Sequence, residues 1–186
     1  MSKTESLHYQ LCCLGAKFLK NRKNAEPWKV PHKYIAVELV TMGVENPDIW
    51  ATNGSITTMV EVKTSRADFL NDKKKWARSK EAEEQNYQMG NYRYYLCPDG
   101  IIKEDELPDK WGLLVYDGKK IKKIKQAEYQ RASSEMEMLM ITSIMRRCGI
   151  KQQIFNFRGQ RLKEIVQKLD DIDEYASKLE IIETDE

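Results

Sequence analysis

The chain has 186 residues, of which 41% are apolar and 32% charged, and its net charge is +2. That length suits one domain with a real core, or a domain plus an extension. No apolar run approaches the roughly 20 residues that span a bilayer, and the opening MSKTESLHYQ lacks the layout of a secretory signal, so a soluble cytoplasmic protein without a membrane partner is expected.

The four cysteines, Cys12, Cys13, Cys97 and Cys148, form no C-x-x-C pair, and His8 and His32 are the only histidines. This pattern argues against a zinc site and against a disulfide framework. Residues 127–186 hold nine basic and twelve acidic side chains, so residues 1–126 carry the positive excess, +5. The excess is densest in Glu61–Lys80, with seven basic and three acidic side chains. Such a patch suits a polyanion, or is a solvated helix face.

In chain order, Leu7, Leu11, Leu14, Phe18 and Leu19 predict an amphipathic helix over Ser6–Lys20. Asn21–His32, with Pro27 and Pro31, reads as a loop. Tyr34–Met42 is apolar enough for a buried strand, and Gly43–Asn46 for a turn. Asp48–Ala51 and Ile56–Thr64 flank Asn53-Gly54, a strong hairpin signal. Arg66 to about Glu84 reads as a helix capped by Thr64 or Ser65. Tyr92–Cys97 is an aromatic strand, and Trp111–Tyr116 and Lys119–Lys125 flank a second hairpin signal at Asp117-Gly118. Residues 128–147 predict a methionine-rich helix ended by Gly149. A last helix is predicted over Gln160–Ile182, where Leu162, Ile165, Leu169, Ile172, Ala176 and Leu179 mark an a/d seam. That helix either docks on its own domain or serves as a tail that forms a homodimer or binds a partner.

The first hairpin carries the chemistry. With Asn53 and Gly54 as the two turn residues, Asp48 faces Met59, and Asp48, Met59, Glu61 and Lys63 share one face. Ile56, Thr58, Val60 and Val62 are left for the core side. Asp48 and Glu61 are then diagonal neighbours. Two carboxylates in one place repel unless a cation intervenes, which suits Mg²⁺ or Mn²⁺. Lys63 can orient a metal-bound water or stabilise charge developing at phosphorus. E-x-K on a strand is by itself often only an ion-pair stripe. Here Pro47-Asp48, the shared face and the basic segment behind it strengthen the signal.

Pro47-Asp48 followed by Glu61-Val62-Lys63 resembles the PD-(D/E)XK nuclease superfamily. The stretch Glu61-Val62-Lys63-Thr64-Ser65-Arg66-Ala67-Asp68-Phe69-Leu70-Asn71-Asp72-Lys73-Lys74, with Trp76, Leu107-Pro108 and Trp111–Val115, resembles its MmcB-like DNA-repair group. The likeness covers about residues 5–117. It implies an α/β, restriction-endonuclease-like fold, a mixed central sheet flanked by helices, over residues 1–126, with a helical extension over 127–186. It implies metal ligation by Asp48 and Glu61 and catalysis by Lys63, with an upstream acidic ligand for which Glu38 is the candidate and Glu5 the weaker one. The expected activity is that of a Mg²⁺-dependent deoxyribonuclease, an endonuclease in repair, restriction or mobile-element processing. An inert nucleic-acid-binding or assembly module on the same fold is the rival.

Arg66, Lys73, Lys74, Lys75 and Arg78 are the expected contacts to DNA, with Lys80 beside them, and Lys119–Lys125 extend the footprint or protect a sheet edge. Asp68 reads as a helix-start residue. Phe69 and Trp76 are expected to face the core, with Asp72 and Trp76 bracing the helix. Core packing is favoured over base stacking for Tyr87, Tyr92, Tyr94 and Tyr95, and Gln85 is a weak candidate for supporting the site.

Overall fold

The computed structural model describes residues 6–150, apart from 26, 28 and 44. Glu5 and the predicted helix over 160–182, with the homodimer expected from it, lie outside the described residues. No helix among the described residues is long and apolar enough to cross a membrane.

Six strands form one mixed sheet in chain order: β1 (Tyr34–Val37), β2 (Ile49–Thr52), β3 (Thr57–Val62), β4 (Tyr92–Pro98), β5 (Gly112–Tyr116) and β6 (Ile121–Lys125). β1, β2 and β3 pair antiparallel, β3, β4 and β5 parallel, and β6 antiparallel on β5. Two consecutive parallel pairs need crossovers. The first runs through α2 (Arg66–Asp72), a 3₁₀ turn at Trp76–Arg78 and α3 (Lys80–Glu84), and the second through a 3₁₀ turn at Glu104–Glu106.

Helices cover both faces. Helix α1 (Leu7–Lys20), capped by Ser6, lays Leu11, Cys12 and Leu19 against Ile49, Ala51, Val60, Val62, Tyr94, Leu96 and Leu114. On the other face Phe69 of α2, and Met136 and Met140 of α4 (Ser134–Arg147), pack with Trp50, Met59, Tyr95, Trp111 and Leu113. Both sides of β3 are therefore buried. Val60 and Val62 take the α1 side as expected, but Met59, Glu61 and Lys63 are also within 3% of full burial. The first compact unit runs Met1–Gly149 and so includes α4. The helical extension expected from residue 127 opens with seven residues ahead of α4.

Three elements differ from expectation. The strand predicted over Tyr34–Met42 stops at Val37 and is a partly exposed edge, because Glu38 takes a left-handed φ of 49° and turns the chain away. The predicted helix over Arg66–Glu84 is broken after Asp72, and Trp76 is 40% exposed rather than core. The hairpin pairs Trp50 with Met59 and Thr52 with Thr57, two residues away from the predicted register. Its central residues are Gly54, at φ 97°, and Ser55. Asn53 Oδ1 accepts from the amides of Ser55 (3.0 Å) and Ile56 (3.1 Å). The Asp117–Lys120 turn repeats the device, Asp117 Oδ1 accepting from Lys119 and Lys120. An Asn or Asp ahead of the glycine closes the turn with its own side chain and moves the turn centre on by one residue.

Candidate active site

The corrected register sharpens the hairpin's geometry. Moving the turn centre by one residue shifts the pairing by two, which preserves the faces. Continued one pair past Ile49–Val60, it brings Asp48 level with Glu61, with Lys63 just past the end of β3, but the Asp48 side chain meets His8 of α1 while Glu61 meets Lys63 and Arg78. The peptide of Glu38 still donates to the Asp48 carbonyl (2.8 Å), so β1 buttresses Asp48.

The two carboxylates have separate partners. Asp48 Oδ2 accepts from the Val62 amide at 2.7 Å, and Oδ1 lies 3.4 Å from His8 Nε2 on α1. Glu61 Oε2 accepts from Lys63 Nζ at 3.0 Å, and Oε1 lies 3.1 Å from Arg78. Burial first, and then the charge of Glu61, push the Asp48 carboxyl above its ordinary range. Burial favours neutral Lys63, but Glu61 and Asp72 together outweigh it and hold the ammonium protonated.

Behind Glu61 lies a buried ionic network. Arg78, its side chain 5% exposed, meets Glu45, Glu61 and Asp72. Asp72 Oδ1 lies 3.0 Å from Lys63 Nζ and 2.7 Å from Lys75 Nζ, and its Oδ2 accepts from the Tyr95 hydroxyl at 2.7 Å. Burial alone would raise Asp72, but Arg78, Lys75 and Lys63 hold its carboxyl well below the usual range. Glu45 also accepts from the Met89 amide at 2.9 Å. These groups fix Lys63 and Glu61 from behind. Glu45 carries no sequence signal of this role, since its partners are 33 and 44 residues away.

The expected DNA contacts divide. Lys73 and Lys74 are exposed, Lys73 over the Phe69 ring at 4.7 Å. Lys75 is half exposed and bridges Asp72 and Glu61. Arg66 is exposed but paired with Glu106 and the Ile101 carbonyl. Arg78 is not solvent-facing. Its guanidinium belongs to the three carboxylates, because the break after Asp72 folds it back. Phe69, Tyr94 and Tyr95 are core, Tyr87 and Tyr92 half-buried. Ser65 Oγ accepts from the Asp68 amide, which sets Asp68 in the helix start. Exposed Gln85 bonds Glu81. Lys122 on the edge strand β6 pairs with Asp117.

Glu38, the candidate third ligand, is 45% exposed at its side chain and lies 3.3 Å from His8 Nδ1. Cys12 Sγ is 3.7 Å from the same nitrogen. One donor atom each of His8, Cys12 and Glu38 lies within 4.8 Å of the others, the one such group of three or more among the described residues. Burial, then the charges of Asp48 and Glu38, push the Cys12 thiol up to about 12. The i, i+4 spacing of His8 and Cys12 on α1 was visible in the sequence. Their nearness to Glu38 was not.

The oxygens of Asp48 and Glu61 already have partners, the Val62 amide and His8 for Asp48, and Lys63, Lys75 and Arg78 for Glu61. The donors are hard oxygens, suited to Mg²⁺ or Mn²⁺. No protein-family model and no curated protein matches the chain. Among solved structures, a Silicibacter pomeroyi protein of unknown function, SPO1766, aligns with a TM-score of 0.53 at 19% identity, over 83% of this chain and 100% of that one. At that identity the likeness speaks for the fold alone.

Proposed function

We propose that the protein is a metal-dependent nuclease of restriction-endonuclease-like architecture, hydrolysing phosphodiester bonds in DNA as an endonuclease of repair, restriction or mobile-element processing. What supports this reading is the β2–β3 register, whose continuation one pair past Ile49–Val60 brings Asp48 level with Glu61, together with the charge of Glu61 felt at the Asp48 carboxyl. Asp48 and Glu61 would hold Mg²⁺ or Mn²⁺, with Glu38, which shares the His8 ring with Asp48, as the candidate third carboxylate. The ion, when bound, supplies a water of lowered pKa and polarises a phosphoryl oxygen. Lys63, kept protonated by Glu61 and Asp72, offers fixed positive charge to the developing charge at phosphorus. Lys73, Lys74 and Lys75 supply backbone attraction.

The test is cleavage of plasmid and oligonucleotide DNA with Mg²⁺ or Mn²⁺. Asp48→Ala and Lys63→Ala are each expected to slow cleavage by about 100-fold or more. Cleavage that survives both substitutions removes the proposed site. A second reading, an inert DNA-binding module, is favoured by one observation: both Glu61 oxygens are engaged by Lys63, Lys75 and Arg78. It predicts salt-sensitive DNA retention in gel-shift assays with no cleavage under any divalent ion.

A further inference from the structure

We infer that His8, Cys12 and Glu38 form a binding site for a transition-metal cation of the Zn²⁺ or Co²⁺ kind, with Asp48 as the carboxylate that orients the histidine. This goes beyond the nuclease reading and stands without it: Glu38 here binds the transition metal in place of Mg²⁺, and Asp48 holds His8.

The geometry comes first. Spacing of four on α1 puts the His8 ring and the Cys12 thiol on one helix face. At the end of β1 the left-handed Glu38 turns the chain so that its carboxylate meets that face. The separations from His8 Nδ1 are 3.7 Å to Cys12 Sγ and 3.3 Å to Glu38 Oε1. Donors bound at about 2.0–2.3 Å to one tetrahedral ion lie roughly 3.3–3.7 Å from each other.

The second ring nitrogen supplies an independent argument. A metal-bound histidine generally gives its other N–H to a carboxylate, which fixes tautomer and ring orientation. His8 Nε2 lies 3.4 Å from Asp48 Oδ1, and Asp48 is itself held by the Val62 amide. Nδ1 is thereby left for the ion.

Charge points the same way. Glu45, Glu61 and Asp72 are each paired with Arg78, and two of them with lysines as well. Among the described residues, the ion pairs of Glu38 and Asp48 are with His8. Two carboxylates thus share one imidazole where the rest of the site is rich in fixed cations. The mixed S, N and O donor set selects Zn²⁺ or Co²⁺ over Mg²⁺. Three protein donors leave a position for water or a substrate oxygen, the pattern of catalytic rather than structural zinc. Exposure of Glu38 and part of His8 gives the ion an entry path.

The test uses the full chain, reduced and stripped by chelator, titrated with Co²⁺. A thiolate-to-cobalt charge-transfer band is expected, saturating at about one ion per chain and bleached by Zn²⁺. Cys12→Ser should abolish the band, whereas Cys13→Ser and Cys148→Ser should keep it. His8→Gln, at a half-buried position, should weaken binding even where Cys12→Ser folds poorly, as circular dichroism would reveal. Asp48→Asn should retain the band with affinity reduced about 10–100-fold. No band in the wild type, or a band that survives in folded Cys12→Ser, overturns the proposal. Glu61→Gln separates the two readings: it is expected to lose Mg²⁺-dependent cleavage and to keep the cobalt band. A wild type that shows the band but never cleaves DNA removes the nuclease reading alone.

Discussion

Three buried charges, Lys63, Asp72 and Arg78, decide how Glu61 is presented. None is tolerable alone in a dry interior, and each is stabilised by the other signs around it. Asp72 makes the clearest pH argument. Its folded carboxyl titrates below the ordinary value of about 3.9, so its stabilisation is present in full above that value and lost as pH falls through the folded pKa. Denaturant midpoints measured across the acid range should therefore decline below about pH 4 in the wild type. Asp72→Asn should flatten that decline and cost about 3–5 kcal/mol at neutral pH, because Lys63 and Arg78 each lose a buried partner. An unchanged acid limb in the variant would assign the decline to other carboxylates. The pair Glu61 and Lys63 was legible in the sequence because two residues on one strand share a face. Arg78 was misread as solvent-facing because its place depends on a break in the chain.

That break belongs to the next scale. In a continuous helix, residues six apart point roughly 120° away from each other, and Arg78 could not reach Asp72. The 3₁₀ turn at Trp76–Arg78 brings Arg78 Nε to 3.0 Å from Asp72 Oδ2. The capping serine and the basic run were readable; the fold-back was not, since its reward comes from Glu45 and Glu61 on other elements. The hairpins teach the complementary lesson. Asn53-Gly54 and Asp117-Gly118 marked the turns correctly, yet the first register slipped by two because the Asn side chain closes the turn one residue later. Period two made that error harmless to the faces. The parallel strands are more tightly constrained. A Cβ on Gly112 of β5 would lie 2.5 Å from Tyr94 Cδ1 and 2.7 Å from the Ala127 amide nitrogen. Both neighbours are buried, one of them backbone. Gly112→Ala is expected to destabilise by about 1–3 kcal/mol or more, read as a lowered urea midpoint at constant slope. A variant as stable as the wild type would mean that β5 can move away from β4 at little cost.

At the scale of the whole molecule, the sheet needs α4 to close its second face. Met136 and Met140 belong to the same core as Trp50, Met59 and Tyr95. Glu137 accepts from Trp50 Nε1 (2.5 Å), the Gly90 amide (2.8 Å) and Thr57 Oγ1 (2.9 Å). The change in composition near Ala127 was real, but composition does not say what a methionine-rich helix packs against. Its long-range partners do, Glu137 to Trp50 spanning 87 residues. Ending the chain at Gln126 removes two buried methionines and leaves two buried donors, Trp50 Nε1 and the Gly90 amide, without their acceptor, at about 1–3 kcal/mol for each orphaned donor. That exceeds a fair share of the 5–15 kcal/mol by which domains are stable. Such a chain should lose cooperative unfolding and expose apolar surface to a hydrophobic dye. A chain ending at Ile150 keeps every one of these contacts and should unfold in one transition. It should also retain the Mg²⁺-dependent cleavage proposed for Asp48, Glu61 and Lys63, since those residues and their partners all precede its end. Size-exclusion of the two forms, full chain and 1–150, then reads the remaining segment directly. A dimer that becomes a monomer on shortening assigns assembly to residues 151–186, and the same oligomeric state in both chains denies it.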